Sequence, residues 1–196
     1  MNLPNKLTML RMILIPVMIV FYLLRNAFGL NVYWIMGIIF VVASFTDFLD
    51  GHIARKRNIV TTFGKFMDPL ADKLLVMTAL LIIADVYAKN LLGNMWMPFW
   101  VPLIILAREF IVTSVRLVAV NEGKVIAASN LGKAKTALTM LSIIWYLFAL
   151  PINFSDSLSL IVSIIGWTLM GGSVLMTLIS GYDYVWKNRN IIFTSI

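Results

Sequence analysis

The stretch FTDFLDGHIARKRNIVTTFGKFMDPLADK, residues 45–73, sets four aspartates into an otherwise apolar chain. Asp47, Asp50, Asp68 and Asp72 are four of only nine acidic residues in 196, at successive spacings of three, eighteen and four. Around them the composition is oil-like: 61% hydrophobic, 13% charged, with a mean hydropathy of +0.92. Soluble domains carry about 25% charged residues. The composition therefore excludes an ordinary soluble enzyme and predicts an all-α polytopic membrane protein. There is no cysteine, hence no disulfide framework and no thiolate metal site, and His52 is the lone histidine. The net charge of +7 would suggest nucleic acid in a soluble protein. Here it reads as membrane topology plus attraction to anionic lipid head groups, with no nucleic-acid partner.

A membrane-crossing helix needs about 20 mostly apolar residues. Six stretches qualify: 9–24 (with Pro16 inside), 33–54, 69–87, 98–120, 134–150 and 158–185. Residues 1–196 thus read as one domain of six transmembrane helices. The polar-flecked start, with no small-residue cleavage site after it, is expected to stay on the mature protein as a short interfacial helix. Lys6, Arg11, Arg55, Lys56, Arg57, Lys65, Lys73, Arg108, Arg116, Lys124, Lys133, Lys135, Lys187 and Arg189 all fall on one side of this arrangement, with only Arg25 and Lys89 on the other. The positive-inside rule makes that populated side cytoplasmic, with both termini on it. An even number of spans agrees. Lacking a targeting peptide, the chain fits a bacterial inner membrane.

Asp47 and Asp50 lie i, i+3 at the end of the second span, and Asp68 and Asp72 lie i, i+4 at the start of the third. Each pair shares a helix face. Asp47 lies roughly 12 Å along the axis from Arg55 at 1.5 Å per residue, and Asp72 lies at a similar depth from Lys65. Folding the two spans as a hairpin brings Asp47 level with Asp72, and Asp50 level with Asp68. Four carboxylates converging in a low dielectric need cations. An all-oxygen donor set suits Mg²⁺, Mn²⁺ or Ca²⁺, and four carboxylates can hold two such ions, an arrangement suited to phosphoryl transfer. Gly51, Ala54 and Gly64 remove side-chain bulk where a pyrophosphate and nucleotide would approach the backbone.

The stretch spells D-x2-D-G-x2-A-R-x8-G-x3-D-x3-D through Asp47, Asp50, Gly51, Ala54, Arg55, Gly64, Asp68 and Asp72. This is the complete signature of the CDP-alcohol phosphotransferase family, which the chain resembles. NLPNKLTMLR at 2–11, GKFMDPLADK at 64–73, AREFIVTSVR at 107–116 and LGKAKTALTM at 131–140 resemble its phosphatidylglycerophosphate synthase branch. The resemblance implies transfer of a phosphatidyl group from CDP-diacylglycerol to sn-glycerol 3-phosphate, with release of CMP. It further implies that the four aspartates hold divalent metal, Mg²⁺ or Mn²⁺, and that Asp72 is the general base. Gly51, Ala54 and Arg55 would line the nucleotide side, and the protein would be a homodimer of six-helix protomers. Asn5 and Thr8 are further candidates for closing the nucleotide pocket.

An acceptor carrying its own phosphate calls for basic residues. Arg108, Arg116 and Lys135 are the candidates, since arginine clamps phosphate in bidentate fashion and charge within an apolar run is costly. Glu109 could orient one of these bases. Lys56, Arg57, Lys65 and Lys124 are explained by topology alone, and His52 by an interfacial environment. Asp68 before Pro69 also matches a helix start, with aspartate as the cap. Trp34, Trp96, Trp100 and Trp186 fit an aromatic belt at the membrane surfaces. Ser173, Thr177 and Gly181 form a small-residue stripe, for packing within the bundle or between protomers. Two rival functions stand beside the main one. The first is a sister enzyme using serine, inositol phosphate or phosphatidylglycerol. The second is a cation transporter, against which all four acids lie at one end of their spans.

Overall fold

A computed structural model of the chain describes residues 3–57, 62–88, 97–121, 129–152 and 155–189. Every regular element among these residues is helical. Six helices are long: α1 (Leu3–Leu23), α3 (Val32–Arg57), α4 (Thr62–Ala88), α5 (Trp100–Asn121), α6 (Asn130–Ala149) and α7 (Asp156–Lys187). A single turn, α2 (Arg25–Phe28), and a 3-10 turn at Gly29–Asn31 join α1 to α3. Gly29 makes that corner possible, because its φ of 64° is a conformation side chains resist.

Among the described residues, three stretches of helix are long and apolar enough to cross a membrane: Asn5–Leu23, Arg25–Asp47 and Ser157–Lys187. Their outward residues include Leu23, Ile38 and Leu175, each more than half exposed, as expected of side chains that face lipid. The remaining long helices also carry charge: Asp72, Lys73 and Asp85 in α4, Arg108, Glu109 and Arg116 in α5, Lys133 and Lys135 in α6. The protein is an integral membrane protein whose described elements are all helical.

Two boundaries differ from the sequence reading. The expected separate interfacial helix does not form: residues 3–23 are one continuous helix, since nothing between Asn5 and Arg11 interrupts it. In addition, α4 begins at Thr62, so Asp68 and Pro69 lie inside the helix. Asp68 is therefore not a helix cap. Proline lacks the N–H for its own i→i−4 bond, yet the turns before it are held in helix.

The chain groups into two compact units, Met1–Ile83 with Ile143–Ser155, and Ala84–Ser142 with Asp156–Ile196. In the first, α1 packs along α3, and Met18, Met36, Phe40, Leu75 and Tyr146 are all buried. Gly37 clears room for the Phe148 ring, which an added Cβ would meet at 2.8 Å. Trp34 meets the same ring edge-on, with centroids 5.1 Å apart. In the second unit, α5 packs on α7, with Val112, Val115 and Tyr184 forming an apolar cluster. Ser129 caps α6, its Oγ accepting from Gly132 N–H at 3.1 Å.

Candidate active site

Both aspartate pairs lie on helices as their spacing required, Asp47 and Asp50 on α3, Asp68 and Asp72 on α4. The side chains of Asp50, Gly51, Ala54 and Arg55 fall outside the described residues. Among the described residues no three acidic side chains form a group, and the expected convergence of all four includes Asp50. The structure does bring Asp47 and Asp68 together across the two helices, close enough for their carboxylates to repel. Asp72, one turn beyond Asp68, is half-buried, and Gly64 is buried in the first turns of α4.

What counters that repulsion comes from α1. Arg11 Nη1 stands 2.5 Å from Asp47 Oδ1, with the arginine side chain wholly buried and the aspartate side chain 36% exposed. Thr8 Oγ1 donates to Asp68 Oδ1 at 2.6 Å. Thr8 and Arg11 are i, i+3 and so share one helix face. The sequence reading puts Thr8 on the nucleotide side and explains Arg11 by topology only. The signal for Arg11 is present in the sequence: an arginine inside the first apolar run is a costly residue unless something pairs it. Asn5, one turn earlier, is half-buried. The donor atoms that Asp47 and Asp68 offer are hard carboxylate oxygens, and the Asp47 side chain is only partly covered by protein. That chemistry fits a divalent cation of the Mg²⁺ or Mn²⁺ kind.

The second unit holds the basic candidates. Arg108 Nη1 donates to Glu109 Oε1 at 3.0 Å, and Nη2 donates to Ser180 Oγ at 3.0 Å. Lys135 Nζ from α6 donates to the same Glu109 Oε1. Glu109 therefore orients both cations. Arg108 is threaded between small residues: a Cβ on Gly181 would sit 3.0 Å from its Cγ, and one on Gly132 3.6 Å from Nη2. Lys135 is 4% exposed, so the cluster is desolvated. Arg116, two turns along α5, is exposed, and none of these contacts reaches it. Beneath the cluster, Thr139 Oγ1 and Ser173 Oγ share a 2.6 Å hydrogen bond, and Thr177 Oγ1 donates to Ser173 O at 2.7 Å. Ser173 and Thr177 are fully buried, and Gly181 faces Arg108. The small-residue stripe of α7 thus serves packing within the chain. Ser180 was not foreseen; its position beside Gly181 was the only hint.

A family model described as CDP-alcohol phosphatidyltransferase matches residues 1–179. A protein of Bacillus subtilis (strain 168) is 39% identical over 211 residues, covering 99% of this chain and 98% of its own. One of Rickettsia typhi is 37% identical over 186 residues, covering 93% and 94%. One of Wigglesworthia glossinidia brevipalpis is 34% identical over 148 residues, covering 73% and 75%. All three bear the name CDP-diacylglycerol–glycerol-3-phosphate 3-phosphatidyltransferase.

Proposed function

The chain belongs to the CDP-alcohol phosphatidyltransferase family, and from that premise we propose that it transfers the phosphatidyl group of CDP-diacylglycerol to sn-glycerol 3-phosphate, giving phosphatidylglycerophosphate and CMP. The observation that carries the reading is likeness from end to end to relatives that share this one printed activity. The unbroken eight-residue signature from Asp47 to Asp72 supports the family's chemistry, whichever alcohol is the acceptor.

The chemistry is one displacement at phosphorus. The primary hydroxyl of glycerol 3-phosphate gives its proton to Asp72 as its oxygen attacks the phosphorus beside the diacylglycerol. A new P–O bond forms, the pyrophosphate bond breaks, and CMP leaves with the electron pair. Asp47, Asp50, Asp68 and Asp72 would hold divalent metal, Mg²⁺ or Mn²⁺, as a pair of ions. Bound there, such ions neutralise charge building on the phosphoryl oxygens. Gly51, Ala54, Arg55 and Gly64, with Asn5 and Thr8, are assigned to the CDP-lipid. The acceptor's phosphate is assigned, from side-chain chemistry alone, to Arg108, Arg116 and Lys135.

The same reading takes residues 1–196 as a single domain of six spans. α4, α5 and α6 would cross despite their charges, because intramembrane charges that pair or bind ligand are tolerated. Both termini and the active site would face the cytoplasm of a bacterial inner membrane, as the lysine and arginine distribution favours, and the protein would act as a homodimer. The test is CMP release by purified protein given CDP-diacylglycerol, Mg²⁺ or Mn²⁺, and a panel of alcohols. Release with glycerol 3-phosphate is expected. Release only with serine, inositol phosphate or phosphatidylglycerol would move the chain to a sister activity. Cation flux into liposomes without CDP-lipid would return it to transport.

A further inference from the structure

The N-terminal helix contributes an arginine that topology alone does not explain. An arginine serving only the positive-inside rule extends its head group to the membrane surface. Arg11 does the opposite: its side chain is wholly buried, with Nη1 against Asp47 Oδ1. One turn before it, Thr8 is also buried and donates to Asp68 Oδ1 at 2.6 Å. Two side chains on one face of α1 thus grip two carboxylates on two different helices, α3 and α4. Each of the two carboxylates thus has a partner on α1 that holds one of its oxygens.

We propose that Arg11 and Thr8 are positioning residues that fix Asp47 and Asp68 in the orientation a divalent cation requires. The inference rests on the metal assignment made under the proposed function. Arg11 and Thr8 each meet the Oδ1 of a carboxylate, and partners that orient a ligating carboxylate are part of a metal site's affinity. Their loss typically weakens binding about 10–100-fold. Simple electrostatics predicts the reverse sign. Deleting a positive charge beside the site should favour a cation, so the direction of the change separates positioning from charge compensation.

The experiment is Mn²⁺ binding, read by electron paramagnetic resonance, to the full-length protein in detergent without substrate. Wild type is compared with Arg11→Met, Arg11→Lys and Thr8→Val. Arg11→Met should weaken Mn²⁺ about 10-fold or more, the lower end for such partners. Arg11→Lys keeps the charge but loses the planar fork, and should recover part of that loss. Thr8→Val, close in size, should weaken binding without changing any charge. In the Arg11 variants the Mn²⁺ concentration for half-maximal activity should rise in step with the binding loss, while KM for glycerol 3-phosphate at saturating Mn²⁺ stays at the wild-type value. If Arg11→Met does not fold, the lysine and valine variants decide alone. Unchanged or tighter Mn²⁺ binding in the folded variants would overturn the inference. A wild-type protein that binds no Mn²⁺ would instead overturn the metal assignment itself.

Discussion

Glu109→Gln tests whether the basic cluster of α5 and α6 depends on one carboxylate oxygen. Glu109 Oε1 accepts from both Arg108 and Lys135, whose side chains are 12% and 5% exposed. Glutamine keeps the length and one acceptor oxygen but removes the charge. A hydrogen bond to a charged group contributes about 1.5–3 kcal/mol, against about 0.5–1.5 for a neutral pair. Here the donors stay charged, so only part of that difference is lost at each bond, about 1 kcal/mol. Two bonds give a loss of about 2 kcal/mol, which is about 4–8 °C in Tm for a chain of this length. Thermal unfolding in detergent reads it directly. The double variant with Lys135→Met sharpens the test. Removing Lys135 alone deletes a compensated cation, whereas in the Glu109→Gln variant it deletes an uncompensated one. The second loss should therefore be smaller than the first by about 1 kcal/mol or more, a coupling typical of residues in contact. A Glu109→Gln protein as stable as wild type, or strict additivity in the cycle, would refute the reasoning.

Asp47→Asn and Asp68→Asn should each abolish metal-dependent CMP release, as should Asp50→Asn. Asp72→Asn should end turnover while retaining CDP-lipid binding in a filter or calorimetric assay; full activity in any of the four would remove the site assignment. Arg108→Ala should raise KM for glycerol 3-phosphate and also lower Tm, because Arg108 ties Glu109 to Ser180. Arg116→Ala, at an exposed position, should raise KM with Tm unmoved, and an unchanged KM would return Arg116 to a purely topological role. Gly181→Ala should gain helix propensity, yet its Cβ would fall 3.0 Å from Arg108 Cγ and displace that side chain. The expected result is a raised acceptor KM with little change in stability, and an unaltered KM would mean that Arg108 adapts freely.

The long helices were legible because their apolar runs exceed what a soluble fold tolerates, and the motif spacing placed each aspartate pair on a helix. Three features were not. The start of α4 was misplaced because Asp68-Pro69 matches a helix start by local rules, while the helix begins at Thr62. The role of Arg11 was hidden because counting charges for topology treats every arginine alike, and only packing shows which one is buried. Ser180 was missed because a serine beside a small-residue stripe looks like packing until a guanidinium is seen to reach it.

Arg11 and Glu109 also expose a common device. In one unit a buried cation stands against the carboxylates that would take metal. In the other a carboxylate stands between the cations assigned to phosphate. Removing one member of a buried pair leaves an uncompensated charge and costs more than the pair contributes, and in each cluster one opposite charge offsets part, not all, of the charge of two like groups. On the proposed assignments, a ligand would add charge to groups that already have a partner of opposite charge. The charged pairs at Asp47 and Glu109 should therefore contribute to stability as well as to turnover. Variants that remove a whole pair should fold better than variants that remove half of one, even where both are inactive.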